Sequence, residues 1–240
     1  MHPQRWILVV GLLLATGYVW LSGGFIGVVP ISAQQDGTLV RPPDKPGLAV
    51  ATFASGCFWC TESDFDKVRG VVSTTSGYTG GTVANPTYRQ VTAGGTGHAE
   101  AVYVVYDPAV VSYDALLDHY WHNVDPFVTN RQFCDSGNSY RPVIFFHTEA
   151  QRAAAEASKA KMQQRFGKPI LVTVTAAAPF YRAEEYHQDY YKKNSAQYRF
   201  YRYGCGRDRR LEQIWAESAA SDQDPASVAD AMAQKLIGRR

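Results

Sequence analysis

The chain has 240 residues, 45% hydrophobic and 19% charged, enough apolar material for one sizeable globular core with extensions. A net charge of only +2 gives no support to a nucleic-acid-binding role driven by bulk charge. The 15 Tyr, 11 Phe and 5 Trp fill much of that core.

In chain order, Arg5 precedes an apolar run at residues 6–14, and no charged residue follows until Asp36. Residues 1–33 therefore read as a signal peptide or an uncleaved signal anchor, with Ile31, Ser32 and Ala33 as an imperfect small-residue cleavage site. A cation ahead of the apolar run places the rest of the chain outside the cytoplasm, periplasmic or otherwise extracytoplasmic. Residues 34–47 carry Pro42, Pro43 and Pro46 and read as a linker. A catalytic domain is expected over 48–215, followed by a tail over 216–240 that is either disordered or an amphipathic helix with Val228, Met232 and Leu236 on one face.

Within the domain, residues 49–53 read as a strand and 61–69 as a helix stopped by Gly70. Residues 71–78 form the next strand, and Gly80, Gly81, Asn85 and Pro86 open a polar loop. Residues 98–106 alternate as a strand ended by Asp107 and Pro108. Ser112 caps a helix with Leu116, Leu117 and Tyr120 on one face. Residues 143–146 are a buried strand, and Thr148 with Gln151 forms a capping box for the helix after it. A strand at 170–175 and a helix at 184–193 complete the pattern. Two β-α-β units in succession predict an α/β, two-layer ferredoxin-like sandwich.

Cys57 follows Gly56 at the junction of the first strand and helix, where unpaired N–H groups and the helix dipole stabilise a thiolate. Taken alone, it could equally be a small buried hydrophobe or half of a structural disulfide. Four cysteines in an exported chain ordinarily mean two staples. Cys57 and Cys60, however, share one helical turn, an arrangement of redox or metal chemistry. The four lack the second close pair of a zinc site. Cys205 sits between Gly204 and Gly206, a setting suited to movement.

The run Gly56-Cys57-Phe58-Trp59, then Asn85-Pro86-Thr87-Tyr88, Gly97-His98-Ala99-Glu100 and Asp135-Ser136-Gly137-Asn138-Ser139-Tyr140-Arg141, resembles the peptide methionine sulfoxide reductase A family in order and spacing. The stretches around His187 and Cys205 also resemble that family's C-terminal part, so the likeness covers roughly residues 49–215. It implies a two-layer α/β core with irregular C-terminal wrapping. It also implies a monomer that reduces the S epimer of methionine sulfoxide, free or in proteins, as a repair reaction. The same resemblance implies no metal or organic cofactor, only an external thioredoxin-like dithiol; the expected export adds a membrane-linked reductant as a source of electrons.

Sulfoxide reduction needs a nucleophile at sulfur and a proton for the departing oxygen. Cys57 matches the family nucleophile and Glu100 its acid. On an alternating strand Glu100 shares a face with His98, Val102 and Val104, and desolvation there raises a carboxyl pKa. Tyr88 and Tyr140 match the family tyrosines that hydrogen-bond the sulfoxide oxygen, and Asp135 a residue that organises the site. Phe58 and Trp59 are expected to line an apolar pocket for the S-methyl group, Trp59 more directly than its neighbour.

Cys60 stands where the family usually has glycine, and Cys134 immediately precedes the Asp135 block. Both leave the resolving thiol open among Cys205, Cys60 and Cys134; Cys205 is the favoured expectation, since Gly204 and Gly206 give it mobility and it is nearest the family's recycling position. Glu184 and His187 have a Glu-x-x-His spacing, but with a single copy a solvated or capping role is expected rather than a metal site. The rival reading is a thioredoxin-like disulfide oxidoreductase using Cys57-x-x-Cys60; a disulfide-stapled binding module is a third.

Overall fold

The computed structural model describes residues 39–43 and 45–221. The expected N-terminal signal segment, part of the linker and the Val228–Met232–Leu236 stripe lie outside them. In order come β1 (Ala49–Ala54), α1 (Phe58–Phe65), β2 (Val71–Thr79), α2 (Tyr88–Ala93), β3 (Ala99–Tyr106), α3 (Tyr113–Trp121), β4 (Arg131–Gln132), β5 (Asp135–Ser136), β6 (Val143–Phe146) and α4 (Glu149–Phe166). These are followed by β7 (Thr173–Ala176), β8 (Tyr181–Arg182), α5 (Tyr190–Lys193), α6 (Ser195–Gly204) and α7 (Arg207–Ser221).

The sheet runs β7-β6-β1-β3-β2-β8, antiparallel throughout except for the β6–β7 pair. Its centre, β6-β1-β3-β2, with helices between β1 and β2 and between β3 and β6, is the split βαβ arrangement that the sequence predicts. Side chains alternate across it: Phe53, Val102 and Val104 meet Phe65, Leu116, Tyr120 and Trp121 beneath the helices. Ala54, Ala101, Tyr103 and Phe145 pack on the other face with Phe180. Each large side chain so buried contributes roughly 1.5–3 kcal/mol of transfer free energy.

Local signals fare well where they are short-range. Ser112 Oγ accepts from Ala115 N–H at 3.1 Å and Thr148 Oγ1 from Gln151 N–H at 3.1 Å. The Gln151 carbonyl, however, accepts from His147 N–H at 2.8 Å instead of closing the box on Thr148, and its amide donates to Val50 O at 2.7 Å. That residue therefore ties α4 to β1.

Other expectations need correction. The first helix starts at Phe58, and the late strand lies at Thr173–Ala176 because Ile170 and Val172 are drawn into the core ahead of it. The helix expected at 184–193 is broken: Gln188 turns its side-chain amide onto the backbone N–H and C=O of Ser76, at 3.0 and 2.9 Å, and Asp189 is left-handed (φ 52°). Only a 3-10 turn at Glu185–His187 and the short α5 remain. The C-terminal wrapping is helical, and the domain boundary expected at 215/216 falls inside α7. Part of the expected linker belongs to the sheet, since Leu39 bridges Tyr181 and Val40 N–H donates to Phe180 O at 2.8 Å. No helix among the described residues is long and apolar enough to cross a membrane.

Gly56 shapes the β1–α1 turn. Its φ is +88°, and a Cβ there would lie 2.4 Å from Gln132 Cβ. Gln132 cannot yield easily: it is fully buried, accepting from Asp125 N–H at 2.9 Å and donating to Asp125 O at 2.8 Å. Gly56→Ala is expected to destabilise the fold by roughly 2–5 kcal/mol, combining left-handed strain with overpacking. The measurement is the urea midpoint at unchanged m-value; a midpoint equal to that of the parent would show that the turn tolerates a side chain.

Candidate active site

The turn after β1 places Cys57 at the N-cap of α1, and its side chain makes no capping hydrogen bond. The Phe58 N–H at this helix start is given to Glu100 Oε2, at 3.0 Å, instead of to the sulfur. Glu100 lies on β3 on the face toward α1, as its alternation predicts, and is 1% exposed. Burial pushes its carboxyl up to about 8, with the nearby Asp135 and Cys60 adding to the shift and the Phe58 amide opposing it. At neutral pH the carboxyl is therefore mostly protonated.

Cys57 and Cys60 are free thiols, both buried and near enough to influence each other's ionisation. Burial raises the Cys57 thiol well above the ordinary value, with Cys60 and Glu100 adding to it. Cys60 moves down, because the neighbouring Cys57 thiol and the Arg207 and Arg202 guanidiniums favour its anion, against the cost of burial. Burial thus works against the Cys57 thiolate that the helix start is expected to stabilise. The two thiols titrate together, burial raising Cys57 and the surrounding groups lowering Cys60.

Tyr88 and Tyr140 reach the same place from different loops. Thr87 caps α2 with a complete capping box with Gln90, which puts Tyr88 at the first helical position. Its N–H donates to Glu184 Oε1 at 2.8 Å. Tyr140 ends a 3-10 turn entered through Gly137 at φ 136°. The two phenols lie near one another, each affecting the other's ionisation. Burial, Glu100 and Cys57 push Tyr88 up to about 12 and Tyr140 upward as well, so both keep their protons.

Phe58 is 1% exposed and lies against Tyr78, Tyr88 and His187, with ring centroids 5.9, 6.4 and 4.9 Å away. Trp59 is half-buried, stacked on Tyr190 at 3.7 Å and donating from Nε1 to His187 Nδ1 at 3.0 Å. Glu184 and His187 are buried in this wall, so of the solvated or capping roles expected for them the solvated one does not hold, and Glu184 stands at the N-cap of the Glu185–His187 turn. Glu184 also accepts from the Tyr78 hydroxyl at 2.7 Å, and burial lowers His187 to about 4, keeping it neutral.

Asp135 is half-buried and accepts from the Tyr201 hydroxyl, and Tyr201 also lies near Cys57 and influences its ionisation. Tyr201 was not legible in the sequence: it is one tyrosine among 15, and only α6 brings it over the site. Cys205, expected to be mobile between two glycines, caps α6, with its N–H on Tyr201 O at 2.9 Å, and is disulfide-bonded to Cys134. Cys134 is exposed. The site therefore unites Cys57, Cys60, Glu100, Tyr88, Tyr140, Phe58, Trp59 and Asp135, whereas Cys134 and Cys205 form a separate pair.

A buried acid that holds its proton, a thiol pair beside it and two phenols form a site for reducing a polar oxygen on an otherwise apolar group. Comparison with known proteins agrees. Residues 49–219 match the model of the family described as peptide methionine sulfoxide reductase. The chain is 49% identical over 173 residues to peptide methionine sulfoxide reductase MsrA of Listeria innocua, covering 71% of this chain and 98% of that one. It is 52% identical over 167 residues to the MsrA of Ligilactobacillus salivarius, covering 69% and 96%. Among solved structures, reduced Mxr1 from Saccharomyces cerevisiae superposes with a TM-score of 0.61 at 32% identity, over 66% of this chain and 91% of that chain. Methionine sulfoxide reductase A of Corynebacterium diphtheriae gives 0.58 at 33% identity, over 63% and 77%. The disulfide-oxidoreductase alternative is not favoured by these likenesses. The chain belongs to the peptide methionine sulfoxide reductase family, MsrA type, and reduces methionine sulfoxide to methionine.

Proposed function

We propose that this enzyme acts on the S epimer of methionine sulfoxide, free or in oxidised proteins, with Cys57 as nucleophile and Glu100 as acid. The observation that carries the reading is the buried Glu100 carboxyl, protonated near neutral pH and bonded to the helix start that bears Cys57. Cys57 attacks the sulfoxide sulfur while Glu100 protonates the oxygen, leaving methionine and a Cys57 sulfenic acid. Tyr88 and Tyr140 donate to the oxygen as it gains electron density. Phe58 and Trp59 wall the S-methyl group, and Asp135 positions Tyr201 at the Cys57 sulfur. A second thiol among Cys60, Cys205 and Cys134 condenses with the sulfenic acid, and an external thioredoxin-like dithiol reduces the disulfide. Cys60 is favoured, being free and in contact with Cys57 while the other two are bonded to each other.

Incubation with each enantiomer of methyl p-tolyl sulfoxide and a dithiol, followed by chiral chromatography, tests this. Loss of the S enantiomer alone is expected; equal loss of both would refute the stereochemical reading. Tyr88→Phe and Tyr140→Phe are each expected to slow the reaction about tenfold. Together they should cost on the order of 10²–10³, because one phenol partly covers for the other. A double variant no slower than either single one would remove the pair from the mechanism.

Export is part of the same proposal, supported by Arg5 and the apolar run after it. Cell fractionation finding active, full-length enzyme in the cytoplasm would overturn it.

A further inference from the structure

Attack by Cys57 releases a proton that the acid and the phenols of the site do not accept. Glu100 holds its own proton for the departing oxygen, and Tyr88, Tyr140 and Tyr201 keep theirs. Cys60 lies one helical turn from Cys57 on α1, buried beside it, with its own N–H on Cys57 O at 3.1 Å.

The charges around the two sulfurs differ by side. Asp64 follows Cys60 on the same face of α1. It is held by Arg202 Nη1 at 2.8 Å and lies 3.7 Å from Arg207 Nη2, so both guanidiniums border the Cys60 face. Arg207 is 1% exposed. Its Nη1 donates to Ser55 O at 3.1 Å and its Nη2 to Ser55 Oγ at 3.3 Å and to Asn123 O. Its buried Nε has no hydrogen-bond partner among the described residues. Such a cation, resting mostly on neutral oxygens and sharing one carboxylate with Arg202, is stabilised by a further anion nearby. The titratable groups facing Cys60 are Cys57 and Asp64 on its own helix, Glu100 on β3, Tyr198 and Arg202 on α6, and Arg207 on α7. Against burial and Asp64, the two guanidiniums and the Cys57 thiol draw Cys60 down.

We propose that Cys60 is the base of this site: its thiolate, set against the buried guanidinium of Arg207, takes the Cys57 proton as Cys57 attacks the sulfoxide. Arg207 is a positioning residue, acting through Cys60 and through its clamp on Ser55. This rests on the proposed role of Cys57 as the nucleophile. In the first step the Cys57 S–H bond breaks and its proton passes to Cys60. The Glu100 proton joins the sulfoxide oxygen, and that oxygen moves to Cys57, leaving methionine, a Cys57 sulfenic acid, a Cys60 thiol and a Glu100 carboxylate. In the second step the Cys60 sulfur bonds the Cys57 sulfur, the S–O bond breaks, and hydroxide departs with the Cys60 proton as water. Glu100 regains its proton from solvent.

Single-turnover methionine formation, followed across the pH range in which thiols titrate, tests this in the full chain. Cys60→Ser is expected to slow methionine formation on the order of 10²-fold and to move the rising limb of the pH profile upward, because Cys57 must then ionise unaided. Arg207→Met should shift the profile in the same direction with Cys60 intact, and Arg207→Lys should restore most of it. Unchanged rates and profiles in Cys60→Ser and Arg207→Met overturn the inference. Since Arg207→Met removes a buried clamp, a second measurement leaves Arg207 in place. In Cys57→Ser with the Cys134–Cys205 disulfide intact, Cys60 is the one free thiol, and its thiolate absorbance is titrated directly. A midpoint below the ordinary thiol value of about 8.5 supports the inference; a midpoint at or above it overturns it. Methionine formed by Cys57→Ser would overturn the reading of Cys57 itself, and this inference with it.

Discussion

Cys57→Ser is expected to reduce sulfoxide reduction to background, a loss on the order of 10⁴-fold or more. The reason is chemical before it is structural. The sulfur must accept an oxygen atom and become a sulfenic acid, whereas a serine oxygen accepting that atom would have to become a hydroperoxide. A hydroxyl fits the space of the buried thiol, so the variant should still fold, and its thermal midpoint should remain within a few degrees of that of the parent. Stoichiometric methionine from the serine variant in a single-turnover assay would remove Cys57 from the mechanism.

Glu100→Gln is expected to slow methionine formation by about 10²–10⁴-fold while sparing the fold. The amide oxygen can still accept the Phe58 N–H that Glu100 Oε2 accepts at 3.0 Å, but the amide delivers no proton. The sign of the pH dependence follows from the carboxyl lying at about 8 instead of its ordinary 4.5. The acid form is present below about 8 and lost above it, so the rate should fall as pH rises through that value, and Glu100→Gln should lack this limb. Stability carries the same sign. The folded state holds a proton that the unfolded chain releases near 4.5, so this group's contribution declines as pH rises from about 4.5 to about 8. Glu100→Gln should therefore resist denaturant at neutral pH at least as well as the parent. A single-turnover rate in the parent that stays flat through pH 8 would show that another group supplies the proton.

Much of this site is legible in the amino-acid sequence. The Gly56–Cys57 junction, the inward face of Glu100 and the Ser112 cap depend on residues within a turn or a pleat of one another, where side-chain period and backbone geometry leave few options. The order of strands and helices within the core is legible for the same reason, since a βαββαβ pattern with apolar strands closes in few ways.

The rest was decided by contacts between residues far apart in the chain. Tyr201 meets Asp135 across 66 residues, Tyr88 N–H meets Glu184 across 96, and Arg207 reaches Ser55 across 152. No local period marks any of these partners. The broken helix at Gln188 is another case, because a side chain buried against Ser76 outweighed the local propensity to continue. The cysteines show the division most clearly. Sequence alone determined that Cys57 and Cys60 share a helical turn and that Cys205 lies between glycines. Only the packing of α6 over β5 decided that Cys205 bonds Cys134. Only the packing of α6 and α7 against α1 decided that Arg202 and Arg207 lie beside Asp64 on the Cys60 face, because both a disulfide and a cluster of buried charges depend on what the whole fold brings within reach.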